Sequence, residues 1–310
     1  MNIDKIHKLF LSNKLLLFII VVSFIVIRLY SADSQWDDLY LWGSMIIQIV
    51  IAFSILQLNN SFNIIQVRTF LPATFYLLFM GVNPIFYNDI KGSIATLLIV
   101  LCYYILFASY QKPLSQVNAL NISLLLVLGS LLWPPLLFFF PVIWQGFRHF
   151  QSFNIRVFFA SLIGFVIVYL LIFTLSIILK DRAIFISLLP QYDTLLIFQK
   201  PYLTTLEWSA WGFLLFFYLI IGIYLHTFNI SERLWTISVL KYFYFSAFIG
   251  FFFFLFQNGY KSTWGLITAV PLAFLTGHFF SNSDKRSMKY LQLLFFLFFV
   301  GIGIAQFIVM

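Results

Sequence analysis

Residues able to do chemistry are few in this chain, and they cluster. Three of its ten acids, Asp33, Asp37 and Asp38, fall in the stretch RLYSADSQWDD from Arg28 to Asp38. Adjacent carboxylates such as Asp37 and Asp38 suit a general acid/base, or a metal-assisted transferase acting on a lipid-phosphate donor. A second polar stretch, KDRAIFISLLPQYDTLLIFQKPYLTTLE from Lys180 to Glu207, adds Arg182 and Lys200, cations suited to clamping a phosphate or pyrophosphate. The candidate site is therefore Asp37 and Asp38 as catalytic groups, with Arg28, Arg182, Lys200 and Glu207 binding substrate. The plainer reading of the same residues is a solvated acidic loop and interfacial cations that snorkel beside Tyr202 and Trp208.

Little else offers chemistry. His7, His149, His226 and His278 are far apart and no two share the i, i+4 spacing of a helical metal site. Cys102 is the single cysteine and lies in an apolar run, which excludes a disulfide framework and a Cys-rich metal centre. There is no Gly-rich phosphate loop and no Ser/His/Asp arrangement. No cofactor is evident; a divalent metal is compatible only with the Asp37–Asp38 pair.

The elements that must position these residues are membrane helices. The chain has 310 residues, 62% hydrophobic and 9% charged, with mean hydropathy +1.00. Soluble domains carry about a quarter charged residues, so lipid is the solvent here. The net charge of +8 is scattered at the ends of apolar runs, the pattern of cytoplasmic loops, and not that of a nucleic-acid surface. The 42 phenylalanines fit tight lipid-facing packing. The basic start MNIDKIHKLFLSNK leads into an apolar run from Leu15 to Ile27. Tyr30-Ser31-Ala32 is a poor cleavage site, so this predicts an uncleaved first helix.

Spans of about 20 apolar residues are predicted at Lys14–Leu29, Leu39–Leu58, Thr69–Tyr87, Gly92–Tyr110, Ile155–Leu179, Glu207–Phe228, Trp235–Phe256, Ser262–Phe280 and Met288–Met310. Lys180–Leu206, half apolar, is predicted to be an interfacial helix or a tucked loop. Gln48, Gln57 and Asn83 read as interhelical hydrogen-bond partners. Lys241, two turns into its span, reads as a snorkelling cation.

The topology turns on Leu120–Phe150, LNISLLLVLGSLLWPPLLFFFPVIWQGFRHF, whose two halves are each short for a span. If it returns to its own side and the N-terminus is cytoplasmic, the outer basic residues are Arg28, Lys91, Lys180, Arg182, Lys200 and Lys261, leaving the other 12 of 18 inside. If it crosses once, the count is nine against nine and the bias vanishes. The positive-inside rule favours the return, with Trp133-Pro134-Pro135 as the apex. The expectation is an all-α polytopic transmembrane bundle of about 11 helices including that hairpin, a single integral membrane domain over 1–310. No second broken segment in a matching position is legible, which argues against a transporter built on paired half-helices.

Two pieces carry a resemblance. Arg68-Thr69-Phe70-Leu71-Pro72-Ala73-Thr74-Phe75-Tyr76, and the hairpin followed by Phe153-Asn154-Ile155-Arg156 and a span with Gly164 and Tyr169, together resemble an uncharacterised family of bacterial polytopic inner-membrane proteins with no assigned activity. The resemblance implies a multi-pass protein of the bacterial inner membrane with a cytoplasmic N-terminus, and it transfers no catalytic residue. After Arg156 the chain departs from the pattern, with Val157-Phe158-Phe159 in place of an aromatic-acidic element. The Asp37–Asp38 pair just after the first span resembles multi-spanning lipid-linked glycosyltransferases, over that loop alone. The expected function is a role in cell-envelope assembly, handling a lipid-linked glycan or phospholipid at the outer leaflet. The alternatives are a non-enzymatic membrane subunit that docks a partner membrane protein, and a small-solute or lipid transporter. Membrane lipids are the expected partners and nucleic acid is not one.

Overall fold

The structure, a computed structural model, describes residues 14–31, 39–66, 69–179, 203–227, 233–281 and 286–309. All regular structure among them is helical. Eleven α-helices follow in order: α1 Lys14–Ser31, α2 Leu39–Phe62, α3 Leu71–Val82, α4 Ile90–Phe107, α5 Gln116–Leu132, α6 Phe139–His149, α7 Ile155–Ile178, α8 Thr205–Thr227, α9 Leu234–Phe256, α10 Lys261–Ser281 and α11 Arg286–Val309. Three 3-10 turns, Pro84–Phe86, Pro134–Phe138 and Asn258–Tyr260, join α3 to α4, α5 to α6 and α9 to α10. Helices α2, α4, α7, α8, α9 and α10 contain stretches long and apolar enough to cross a membrane. Helices satisfy their own backbone, which is what a segment surrounded by lipid requires.

The stretch Leu120–Phe150 returns to its own side, as the charge pattern predicts. Its two ends are tied together: the Gln111 N–H donates to Phe150 O (2.9 Å), the Ser115 hydroxyl to Ser152 O (2.8 Å) and the Asn154 amide to Pro113 O (3.2 Å). The apex lies at the other end of the bundle, where Trp133 packs edge-on against Trp264 of α10 at 5.1 Å. Proline supplies the break, since it cannot donate to the preceding turn and disfavours helix at the residue before it.

The third predicted span is cut short in the same way. It was expected over Thr69–Tyr87, but α3 ends at Val82 and is followed by Asn83-Pro84 and a 3-10 turn. Its 12 residues cover only about 18 Å of a ~30 Å hydrocarbon core. The chain thus holds a second proline-broken segment, contrary to the sequence reading. Asn83 is also not an interhelical partner: its amide donates to Phe79 O in its own helix (2.8 Å). Gln57 is exposed.

Helix α10 is the axis. Every residue from Thr263 to Phe280 is buried, against α9, α3 and α4 above all. Two of its buried hydroxyls are absorbed locally: that of Thr268 donates to Trp264 O (2.6 Å) and that of Thr276 to Leu272 O (2.8 Å). Lipid tails are as apolar as leucine, so helices associate through close contact more than through expulsion of water. Glycine permits that contact where helices cross: a Cβ added at Gly250 would strike Thr268, one at Gly277 would strike Pro72, and one at Gly164 on α7 would strike Ser123 on α5. Many phenylalanines, whose number alone fits lipid-facing packing, are inside. Phe75, Phe79, Phe107, Phe243, Phe274, Phe295 and Phe299 are all buried and pack ring against ring, some stacked, some tilted or edge-on, each well-placed pair contributing about 0.5–1.5 kcal/mol.

The described charges sort by end. Lys112, Arg148, Arg156, Arg233 and Lys241 lie at or near the end where α4, α6 and α10 finish and α7 and α9 begin. Arg28, Lys91 and Lys261 lie at the opposite end, with Asp89 and Glu207, the two acids among the described residues. Single cysteines placed at Lys112, Arg148, Lys91 and Lys261, read with a membrane-impermeant maleimide in sealed vesicles, test this. We expect Lys112 and Arg148 to label from one side and Lys91 and Lys261 from the other; labelling of positions 112 and 148 from opposite sides would contradict the hairpin.

Candidate functional site

The site builds outward from Arg28. Sequence reading placed it at the outer end of the first span, grouped with the acidic loop; the structure places it in the last turn of α1, fully buried. Its guanidinium lies between two aromatic faces, 4.7 Å from the Phe24 ring centre and 4.6 Å from that of Tyr87. Nη1 donates to the Ser44 hydroxyl (3.3 Å), and Nη2 to Gln48 Oε1 (2.5 Å) and to the Phe86 carbonyl (3.2 Å). Ser44 and Gln48 are four residues apart and so share one face of α2.

The local sequence explains this arrangement. The Asn83-Pro84 break leaves backbone carbonyls free at buried positions, where non-helical backbone persists only if protein satisfies it. Phe86 O accepts from both Arg28 and the Gln48 amide (3.1 Å), and Tyr87 O accepts from the Ser44 hydroxyl. Gln48 also donates to Ser93 Oγ on α4 (3.1 Å). Three buried polar atoms of this region have no hydrogen-bond partner among the described residues: Arg28 Nε, the Tyr76 hydroxyl and Asn83 Oδ1. No carboxylate pairs with Arg28 among the described residues.

From Ser93 the network continues to an acid that sequence reading did not single out. The Ser93 hydroxyl donates to Asp89 O (2.8 Å). The Asp89 side chain caps α4, with Oδ1 accepting from the Gly92 N–H (2.7 Å). Its Oδ2 accepts from the hydroxyls of Ser262 (2.7 Å) and Thr263 (2.9 Å) at the start of α10. One carboxylate thus locks two helix starts together. The signal was present in the sequence: an aspartate three residues before a glycine, at the head of an apolar run.

Beside Arg28 lies an apolar groove of about 720 Å³ between α1, α3 and α11, walled by Phe24, Ile27, Leu77, Gly81, Phe299 and Gly303. Phe24 both lines the groove and carries the guanidinium on its face. The groove therefore runs up to the wall behind which the charge is held.

Of the other predicted site residues, Asp37, Asp38, Arg182 and Lys200 lie outside the described residues, as does the expected interfacial segment at 180–202. Glu207 is in a capping box: the Thr204 N–H donates to its Oε2 (2.8 Å) and its own N–H donates to Thr204 Oγ1 (3.3 Å). Neither hydrogen bond nor ion pair joins Glu207 to Arg28 among the described residues. No group of three or more His, Cys, Asp or Glu side chains able to hold a metal ion occurs among the described residues.

Bundle and site together define the class: a multi-pass helical membrane protein with a buried cationic corner beside an apolar groove. No protein-family model, no curated protein and no solved structure matches the chain.

The clamp is testable. Asp89→Ala removes a helix cap and orphans two hydroxyls and should cost about 1–3 kcal/mol. Asp89→Asn, which caps as well as aspartate, should cost less. Thermal unfolding in detergent reads both, and an unchanged Asp89→Ala midpoint would refute the clamp.

Proposed function

We propose that this protein handles a lipid phosphate, a lipid-linked glycan or a phospholipid, at the end of the bundle that carries Arg28. In this reading that end faces outward from a bacterial inner membrane, the N-terminus is cytoplasmic, and the role is in envelope assembly. The observation that carries it is a buried guanidinium with no acid beside it among the described residues, one donor unfilled, behind the Phe24 wall of an apolar groove.

A buried charge is costly unless it is paired and hydrogen-bonded. Neutral carbonyl and amide acceptors solvate Arg28 without neutralising it. A phosphate brings the missing charge, and a guanidinium fork suits phosphate geometry. The hydrocarbon chain of such a lipid has an apolar trough of the right character beside it. Asp37 and Asp38 follow Arg28 by nine and ten residues and are proposed as the acid/base or metal-facing pair. Arg182 and Lys200 are proposed as further phosphate contacts.

The transporter alternative gains a second broken segment, but the carbonyls that break frees at Phe86 and Tyr87 already accept from Arg28, Gln48 and Ser44. That leaves this break without an open carbonyl cage for an ion.

Two variants test the proposal. Gly303→Trp fills the groove at a position where an added Cβ meets nothing within 4 Å. With circular dichroism confirming that the helices are retained, it should reduce co-purifying lipid phosphate, measured by mass spectrometry, roughly tenfold, the effect of about 1.4 kcal/mol. Asp37→Asn with Asp38→Asn should keep the bound lipid and abolish its turnover, seen as a change in envelope glycans. Undiminished lipid in the first variant would remove the groove, and unchanged glycans in the second would remove the catalytic pair.

A further inference from the structure

A second cation heads a second groove, at the other end of the molecule. Lys241 is exposed eight residues past Arg233, the N-cap of α9, which sets it roughly 12 Å into the helix. Following it at i+4, i+7, i+11 and i+15 are Phe245, Phe248, Phe252 and Phe256, one stripe of a helix surface. All four form one wall of an apolar groove of about 490 Å³ between α8 and α9, with Leu215 and Leu219 opposite. Lys241 therefore stands on the same helix face as the groove and above it on the basic side.

The surroundings of Lys241 supply positive charge and hydrogen-bond donors. His149 ends α6, which packs on α9 through Gly146 against Tyr242. Burial first, and then the nearby Lys241, hold the His149 imidazole below its ordinary pKa. Arg148, next in the chain, is exposed with its guanidinium 5.7 Å from the Phe153 ring centre. Both described acids, Asp89 and Glu207, are at the far end.

An ammonium exposed at this depth either snorkels to water or is met by an anion. We propose that α9 seats one anionic phospholipid of the leaflet at the basic end, its phosphate on Lys241 with His149 and Arg148 beside it, and an acyl chain in the α8–α9 groove. The charge of the cluster and the apolar trough beneath it together match one amphiphile, a phosphate diester on a hydrocarbon chain. This site stands apart from Arg28 and does not depend on the lipid-phosphate reading of that end.

Native mass spectrometry of the full chain in mild detergent, titrated with phosphatidylglycerol or with phosphatidylcholine of the same chains, tests the site. We expect one phosphatidylglycerol adduct that survives activation better than phosphatidylcholine. Lys241→Gln should weaken it about fivefold, the value of one basic residue near a lipid surface, while Lys241→Arg should retain it. Lys261→Gln removes the same charge at the opposite end and should retain it as well. Three outcomes would overturn the proposal: equal retention of the two lipids by the native chain, an unaffected Lys241→Gln, or an equal loss in Lys261→Gln, which would mean that bulk charge alone is being read.

Discussion

The constraint on which this structure depends is a broken backbone inside an apolar protein. Asn83-Pro84 stops α3 after 12 residues and turns the chain through Phe86 and Tyr87, so that peptide carbonyls point where no helix uses them. In water such groups would be hydrated; here a side chain must reach them. Arg28 and Gln48 do so for Phe86, and Ser44 for Tyr87. Arginine suits the task where lysine would not. Its planar fork reaches the Ser44 hydroxyl, the Gln48 amide oxygen and the Phe86 carbonyl at once while stacking between Phe24 and Tyr87. The solution brings a positive charge into the interior with a donor to spare.

From that corner the order spreads through hydrogen bonds and then through packing. Gln48 joins Ser93, Ser93 joins Asp89, and Asp89 fixes the start of α10 through Ser262 and Thr263. Helix α10 then needs no polar exposure at all, and the phenylalanines of α3, α8 and α11 close around its later half. Dispersion at glycine crossings holds the remaining contacts. Both ends of the bundle combine a cation with an apolar groove, but in different ways. Arg28 is buried and woven into the fold, whereas Lys241 is exposed on the face of α9.

Much of the architecture was legible in the sequence. Apolar length marked the spans, and the count of basic residues chose a returning Leu120–Phe150 over a crossing one before any contact was known. That worked because membrane topology follows composition and charge at loop scale. What was not legible depends on contacts between distant residues. The position of Arg28 seemed to belong with Asp37 and Asp38, since nothing local shows that Phe86 and Tyr87, 58 and 59 residues on, need a donor. Which phenylalanines are inside was not legible, because composition cannot say which neighbours a ring will find. Asp89 was within reach: its place ahead of Gly92 is a cap signature, obscured by starting the helix at Gly92, two residues late. Asp37, Asp38, Arg182 and Lys200 keep the roles proposed for them on chemistry alone.

The central claim is that the charge on Arg28 is completed by a lipid phosphate, and the most direct measurement is the distance between them. Solid-state NMR on arginine-labelled protein in bilayers, recoupling guanidinium carbon to lipid phosphorus, reads that distance. The account predicts one arginine Cζ about 4–5 Å from a phosphorus, the separation of a hydrogen-bonded pair, with the signal assigned to Arg28 by its loss in Arg28→Lys. An Arg28 signal that shows no phosphorus dephasing, in bilayers rich in phosphate-bearing lipid, would contradict it.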